Sequence, residues 1–248
     1  HQTTPNDQRA LVNRLQAQES CVALQWRLLK KPRLCARSTM AYRPTEKTQA
    51  RKAEIRQRLL DAALSLVSGG GFAALTMVAV AAQAGIATGA VYKHFVSKDE
   101  LCCEVFRVAT EKEVAWVRDM ALQEDGSPSE RMLRAIESFA LRALRNPRLA
   151  FALIAEPVDV QADAQRLRYR LVYADVFEQL LAQGIQSGEF APQFPSVSAA
   201  ALVGVIAESL VGPLSWQAAD QPPMETEALI AAIQAFCLRA VVAPTLSF

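Results

Sequence analysis

The stretch LTMVAVAAQAGIATGAVYKHFVSK, residues 75–98, decides how this chain is read. Met77, Val80, Ala81 and Ala84 recur at helical spacing and predict a short helix over about Thr76–Ala84. Gly85 suits the turn after it, because glycine enters left-handed backbone without steric cost, and Ile86 plugs that turn. A second helix is predicted from about Thr88 to Phe95. Val91 and Phe95 lie four apart, so both face inward. Thr88, Gly89, Tyr92, Lys93 and His94 are left toward solvent or toward a groove in DNA. Two short helices across a tight turn, the second held from behind, make a helix-turn-helix.

Upstream, Ile55, Leu59, Ala63, Leu66 and Val67 form one apolar stripe, which predicts a helix from about Gln49 to Val67. Ser68-Gly69-Gly70-Gly71 is expected to end it. This glycine run is not a phosphate loop, since no Lys-Ser/Thr follows. Downstream, Ser97-Lys98-Asp99-Glu100 has the spacing of a capping box and opens a helix reaching about Gln123. Ser127-Pro128-Ser129-Glu130 repeats the device and opens a helix that ends near Arg145. Asn146-Pro147 opens a short segment that Pro157 closes. A long helix follows over about Ala162–Ser187, then two more near Ser196–Trp216 and Met224–Val242. Strand signals are nearly absent. The fold class is therefore all-α, with an N-terminal three-helix helix-turn-helix domain followed by a helical body. The expected divisions are a basic extension at 1–42 that is disordered or artefactual, a DNA-binding helix-turn-helix domain at 43–96, and a helical domain at 97–248, to which the family resemblance given below assigns regulation and dimerisation.

The 248-residue chain carries a net charge of only +2, but unevenly. Residues 1–60 hold 13 Lys and Arg against 4 Asp and Glu, so the front carries +9 and the remainder −7. A basic front on an acidic body points to a polyanion partner; a solvated basic face is the alternative reading. Arg51, Lys52, Arg56 and Arg58 are read as such a solvated face, adding long-range attraction for DNA. The five cysteines are odd in number and lack a C-x-x-C, which indicates reduced thiols and neither a disulfide framework nor a zinc ribbon. No metal site and no cofactor are expected. No signal peptide is visible in the first thirty residues. The apolar run 198–212 contains Glu208 and stops at Pro213, so it reads as a buried helix of a cytoplasmic protein that does not enter a membrane. The two histidines, His1 and His94, leave no Ser-His-Asp set and no His-based metal set, so a helical enzyme is disfavoured. An adaptor that uses its helices only for protein contacts is a third reading, which an intact groove-facing surface argues against.

Residues 84–95, AGIATGAVYKHF, followed by Ser97-Lys98-Asp99-Glu100-Leu101, resemble the signature of the TetR/AcrR family of transcriptional regulators. The helix over 49–71 with its Gly71-Phe72 ending fits the same domain. The resemblance implies a homodimer on a palindromic double-stranded DNA operator, released by a small-molecule effector. It implies that Thr88, Gly89 and Ala90 face base edges or adjoining backbone, and that Thr76, Tyr92, His94 and Lys98 hold phosphates. Tyr hydroxyl, imidazole and ammonium groups can all donate to phosphate oxygens. Lys93 points outward toward a base or a phosphate. Ala90 stands where a Ser, Thr or Asn is often found, which leaves apolar contact there, as with a thymine methyl.

In the body, the resemblance implies dimerisation through the last two helices. The first of these mixes Ala199, Ala200, Ala201, Gly204 and Gly212 with Leu202, Val205, Ile206 and Leu210, so it is apolar nearly all round and must be covered on most sides. Leu229, Ile233, Phe236 and Ala240 form the stripe of the last helix. An effector pocket would lie between the middle helices. Trp116, Met120, Met132, Phe139, Phe151, Tyr173, Phe177 and Glu208 are its candidate lining, with plain core as the alternative for each. Glu208, if buried, needs a partner, which could be Arg170, a tyrosine or a cationic ligand.

Overall fold

A computed structural model describes residues 45–158, 160–215 and 225–242. The readings made above for residues 1–42, Trp216 and Met224 lie outside that set. Nine α-helices follow in order among the described residues: α1 (Glu46–Gly70), α2 (Met77–Ala84), α3 (Thr88–Val91), α4 (Lys98–Leu122), α5 (Pro128–Arg145), α6 (Pro147–Ile154), α7 (Val160–Gln186), α8 (Pro195–Leu214) and α9 (Thr226–Val241). A 3-10 turn, Phe72–Ala74, joins α1 to α2. Pairing of extended backbone is limited to an isolated bridge between Phe190 and Val242 among the described residues.

Two apolar cores organise these helices. The first gathers Leu59, Ala63 and Val67 of α1, Val80 and Ala81 of α2, and Val91 and Phe95, around Leu101, Val105 and Phe106 of α4. The second gathers Val117 and Ala121 of α4 with Met132, Ile136, Phe177, Leu180, Leu202, Ile206, Leu210, Ile233 and Cys237. The 25 residues of α4 therefore run from one core into the other. Met132 is fully buried in the second core. Cys237 is buried there too, and burial pushes its thiol up to about 11, so it behaves as a small apolar residue.

Local chemistry explains most helix ends. Ser97 Oγ accepts from Glu100 N–H at 3.1 Å, while the Glu100 carboxylate reaches back to Val96 N–H at 2.6 Å. Ser127 and Glu130 form a complete capping box, with Pro128 in the first turn where its missing N–H costs nothing. Glu189 adds a second acceptor at this helix start, taking Ser127 Oγ–H at 2.9 Å and Ser129 N–H at 3.0 Å.

Several boundaries shift from the sequence reading, and two helix ends do so for a physical reason that can be named. Helix α1 does not stop at Ser68 but winds through Gly69 and Gly70. The stop is Gly71, at φ 71°, whose N–H bonds Val67 O at 2.8 Å. Glycine is tolerated in a helix at about 1 kcal/mol, so a glycine run need not end one until the backbone turns left-handed. Helix α3 closes at Val91 rather than Phe95. Lys93 N–H to Ala90 O at 3.1 Å and His94 N–H to Val91 O at 2.9 Å tighten the chain into turns. The tighter winding returns Phe95 to the core, where it is fully buried.

Helix α8 is apolar and long enough to cross a bilayer. Ala199, Leu202, Ile206, Leu210 and Leu214 instead bury one of its faces in the second core. Gly184, inside α7, packs flat against the Phe190 ring, and a Cβ there would overlap it. Gly184→Ala should therefore destabilise the protein by about 1–3 kcal/mol, the usual cost of overpacking, measured by urea denaturation against wild type.

Candidate nucleic-acid interface and ligand cavity

The helix-turn-helix is assembled by caps and by contacts from behind. Thr76 Oγ accepts from Ala79 N–H at 3.1 Å, leaving its hydroxyl proton to point outward. Gly85, at φ 63°, closes α2 by donating to Ala82 O at 3.1 Å, and Ile86 N–H reaches Ala81 O at 2.9 Å. That is a Schellman ending, which requires a left-handed residue. The Arg58 guanidinium adds a bond to Ala84 O at 2.6 Å. Arg56 lies over the Phe95 ring at 4.4 Å and pairs with Glu104 at 3.1 Å, so it ties α1 to the α3 turn and to α4. Arg56 and Arg58 are thus structural as well as basic, a role that a solvated-face reading missed. Only the tertiary contact reveals it.

The residues singled out from sequence sit along this surface. Thr76, Gly89, Tyr92, Lys93 and Lys98 are exposed; Thr88, Ala90 and His94 are half-buried. Tyr92, just past the end of α3, exposes 53% of its surface. A Cβ on Gly89 would meet nothing within 4 Å, so no intramolecular packing demands glycine there. Val78 and Val96 are also exposed, at 65% and 83%, and were not anticipated. The His94 imidazole is held below the ordinary histidine value, by burial first and then by Lys52, Arg56 and Lys93. Its Nδ1 is buried without a hydrogen-bond partner among the described residues. The same cations that depress its protonation form a positive rim around it.

Behind this surface lies a cavity of about 340 Å³ between α4, α5, α6, α7 and α8. Three of the eight pocket candidates read from sequence, Phe139, Tyr173 and Phe177, line it; Trp116, Met120, Met132, Phe151 and Glu208 do not. Trp116 is 45% exposed and packs under the Arg142 guanidinium at 5.2 Å. Met120 and Phe151 pack against the second core. Glu208 faces outward and is exposed, so it needs no buried partner. The polar lining missed from sequence comprises Thr110, Glu113, Arg142, Arg145, Arg166 and Tyr169, with Arg170 noted there only as a possible partner for Glu208. Arg142 and Glu113 make two parallel bonds at 2.6 and 2.7 Å, the strong bidentate geometry. Burial raises the Tyr173 hydroxyl well above its usual range, which keeps it neutral. Thr110 is 5% exposed, and its hydroxyl has no partner among the described residues.

Cavity and helix-turn-helix share a wall. Phe106 and Tyr169 line the cavity, and Phe106 stacks between Phe72 at 6.1 Å and Tyr169 at 6.0 Å. Arg166 binds the end of α6 through Leu153 O at 3.0 Å and Glu156 O at 2.6 Å. The Glu156 carboxylate then accepts Phe72 N–H at 2.9 Å and Ala73 N–H at 3.2 Å. A Cβ on Gly71 would overlap that carboxylate.

On their solvent-facing sides, α8 and α9 expose small and apolar residues. Val197, Ala201, Gly204 and Gly212 lie outward on α8, and Ala228, Ala231, Ala232, Ala235, Phe236 and Ala240 on α9. Phe236 is 53% exposed and Val197 67%.

Residues 59–105 match the family described as bacterial regulatory proteins, tetR family, and residues 125–210 match the tetracyclin repressor-like C-terminal domain. The HTH-type transcriptional repressor KstR of Mycolicibacterium smegmatis is 34% identical over 111 residues, covering 45% of this chain and 54% of that protein. KstR2 of Mycobacterium tuberculosis is 29% identical over 144 residues, covering 55% and 70%. The chain thus spans about half the length of the KstR relatives it matches. Among solved structures, FadR from Bacillus subtilis in complex with stearoyl-CoA superposes with a TM-score of 0.61 at 21% identity, over 73% of this chain and 97% of that one.

The exposure pattern separates surface from support. Tyr92→Phe should leave unfolding free energy within about 0.5 kcal/mol of wild type, and Gly89→Ala should raise it by up to about 1 kcal/mol. Phe95→Ala should cost about 3–5 kcal/mol, measured in the same urea titration.

Proposed function

The chain belongs to the TetR family of bacterial transcriptional regulators, and from that premise we propose that it is a cytoplasmic homodimeric repressor released from a palindromic operator by a small molecule. The family and its relatives are regulators, so the protein acts by binding rather than by catalysis. The observation that carries the proposal is the exposed set Thr76, Tyr92, Lys93 and Lys98 around an unfilled Gly89. Tyr92, His94, Lys98 and Thr76 grip phosphates, while Thr88, Gly89 and Ala90 approach the bases. Gly89 leaves room for backbone to come close to DNA.

Dimerisation is assigned to α8 and α9. What supports it is their row of exposed alanines and glycines with Phe236 and Val197, an apolar face that a second copy would cover. Two reading helices about 34–36 Å apart then meet successive major grooves. Release is assigned to a ligand in the cavity that displaces α6 and α4. The shared Phe106 stack and the Arg166–Glu156 bridge to the 3-10 turn support that route. FadR from Bacillus subtilis, which shares this fold, is solved in complex with stearoyl-CoA.

The test is fluorescence anisotropy with DNA from upstream of the protein's own gene, at several salt concentrations. Tyr92→Phe should weaken binding about tenfold, the loss of one hydrogen bond to a charged group. Lys98→Ala should also lower the salt slope by about one. Tight binding unchanged in both variants would refute the phosphate contacts, and no binding at any salt would favour an adaptor. His94 adds a pH signature. Its depressed protonation leaves it neutral in the free protein near neutral pH, so a phosphate that prefers imidazolium must draw in a proton. Operator affinity should rise as pH falls from about 8 to 6, and His94→Gln should flatten that rise.

A further inference from the structure

We propose that the cavity takes an amphipathic anion: a compact apolar body inside and a carboxylate or phosphate head at the rim, held by Arg145 of α5 and Arg170 of α7. The inference rests on reading this cavity as the effector site and names the chemistry of its occupant.

Four arginines and a lone carboxylate, Glu113, line the cavity. Two of the arginines are committed within the protein. Arg142 is neutralised by the bidentate pair with Glu113. Arg166 is spent on the carbonyl end of α6 and on Asp163 at 2.7 Å. Arg145 and Arg170 are different: both are exposed, and neither makes a hydrogen bond or ion pair among the described residues. No uncommitted acid in the lining offsets them, so the entrance favours anions and repels cations.

The interior is apolar, walled by Phe139, Phe177, Leu153, Ile154, Val203 and Ile206. An ionic group cannot enter that region without losing its hydration, so the head stays at the rim. Thr110 supplies the polar feature within. Its hydroxyl is buried in the cavity wall without a partner, although buried hydroxyls are ordinarily paired. A ligand oxygen near the inner end of the head would complete it. The volume of about 340 Å³ holds roughly eleven heavy atoms at the ~30 Å³ that a water occupies in liquid. That is the scale of a medium-length alkyl chain.

Calorimetric titration of the full chain with decanoate, decyl phosphate, decanol and decyltrimethylammonium, below micelle formation, tests this without DNA. Decanoate or decyl phosphate should bind at least about tenfold more tightly than the alcohol or the ammonium, a difference of roughly 1.4 kcal/mol. Whichever anion binds more tightly identifies the head. The double variant Arg145→Ala/Arg170→Ala should lose that preference and keep decanol binding, and the single variant Arg170→Gln should lose part of it. Both arginines are exposed, so the melting temperature of each variant should match wild type. Thr110→Val should weaken the anions by several-fold. Equal binding of cation and anion, unchanged anion affinity in the double variant, or no binding by any of the four would overturn the proposal. Anion binding that leaves operator affinity unchanged would uphold the ligand class and instead refute release by effector.

Discussion

One helix belongs to two cores, and the rest of the architecture follows from that. The first turns of α4 bury Leu101, Cys102, Val105 and Phe106 against the helix-turn-helix; its later turns bury Val117 and Ala121 in the body. At 1.5 Å per residue its 25 residues form a rod of about 37 Å. Close-packed cores resist small continuous adjustment. The reading surface therefore cannot rotate against the body unless the side chains along this rod repack. Phe106 stands at the crossing, stacked between Phe72 and Tyr169 while also lining the cavity.

A second connection runs beside the first and is polar. Arg166 collects carbonyls at the end of α6, where several backbone acceptors lack helical partners. Glu156 extends from that end to two backbone N–H groups of the 3-10 turn. Gly71 serves both neighbours, because its backbone is left-handed and its missing side chain leaves room for the carboxylate. Asn146, in the cavity wall, also reaches Ser68 of α1 at 3.5 Å. Any group that presses on α6 from within the cavity acts on an element joined to the reading domain by charge-assisted hydrogen bonds.

Much of this was legible along the chain because it is local. Ser97 and Ser127 cap the helices they precede, since a cap bonds an N–H only three residues on. The inward placement of Val91, Val80 and Ala81 followed from helical spacing, whereas Phe95 reaches the core through the tighter turns beyond α3. What failed was long-range. Glu208 interrupts an apolar run and reads as a buried carboxylate, yet it lies on the face of α8 that turns outward. Periodicity on a helix that is apolar nearly all round cannot tell which face is covered. Trp116 reads as pocket lining and is instead a platform for Arg142.

The all-α class, the helix order, the caps and the exposed face of the helix-turn-helix could be read along the chain, because hydrogen bonds and side-chain spacing within a few residues specify them. Only the folded arrangement shows that Arg56 clamps Phe95, that Arg142 is consumed by Glu113 while Arg145 and Arg170 have no partner among the described residues, and that Glu156 docks under Gly71. Those pairings join residues from different helices. Their free energy depends on distance and burial in three dimensions, neither of which is encoded in the spacing of residues along a single helix.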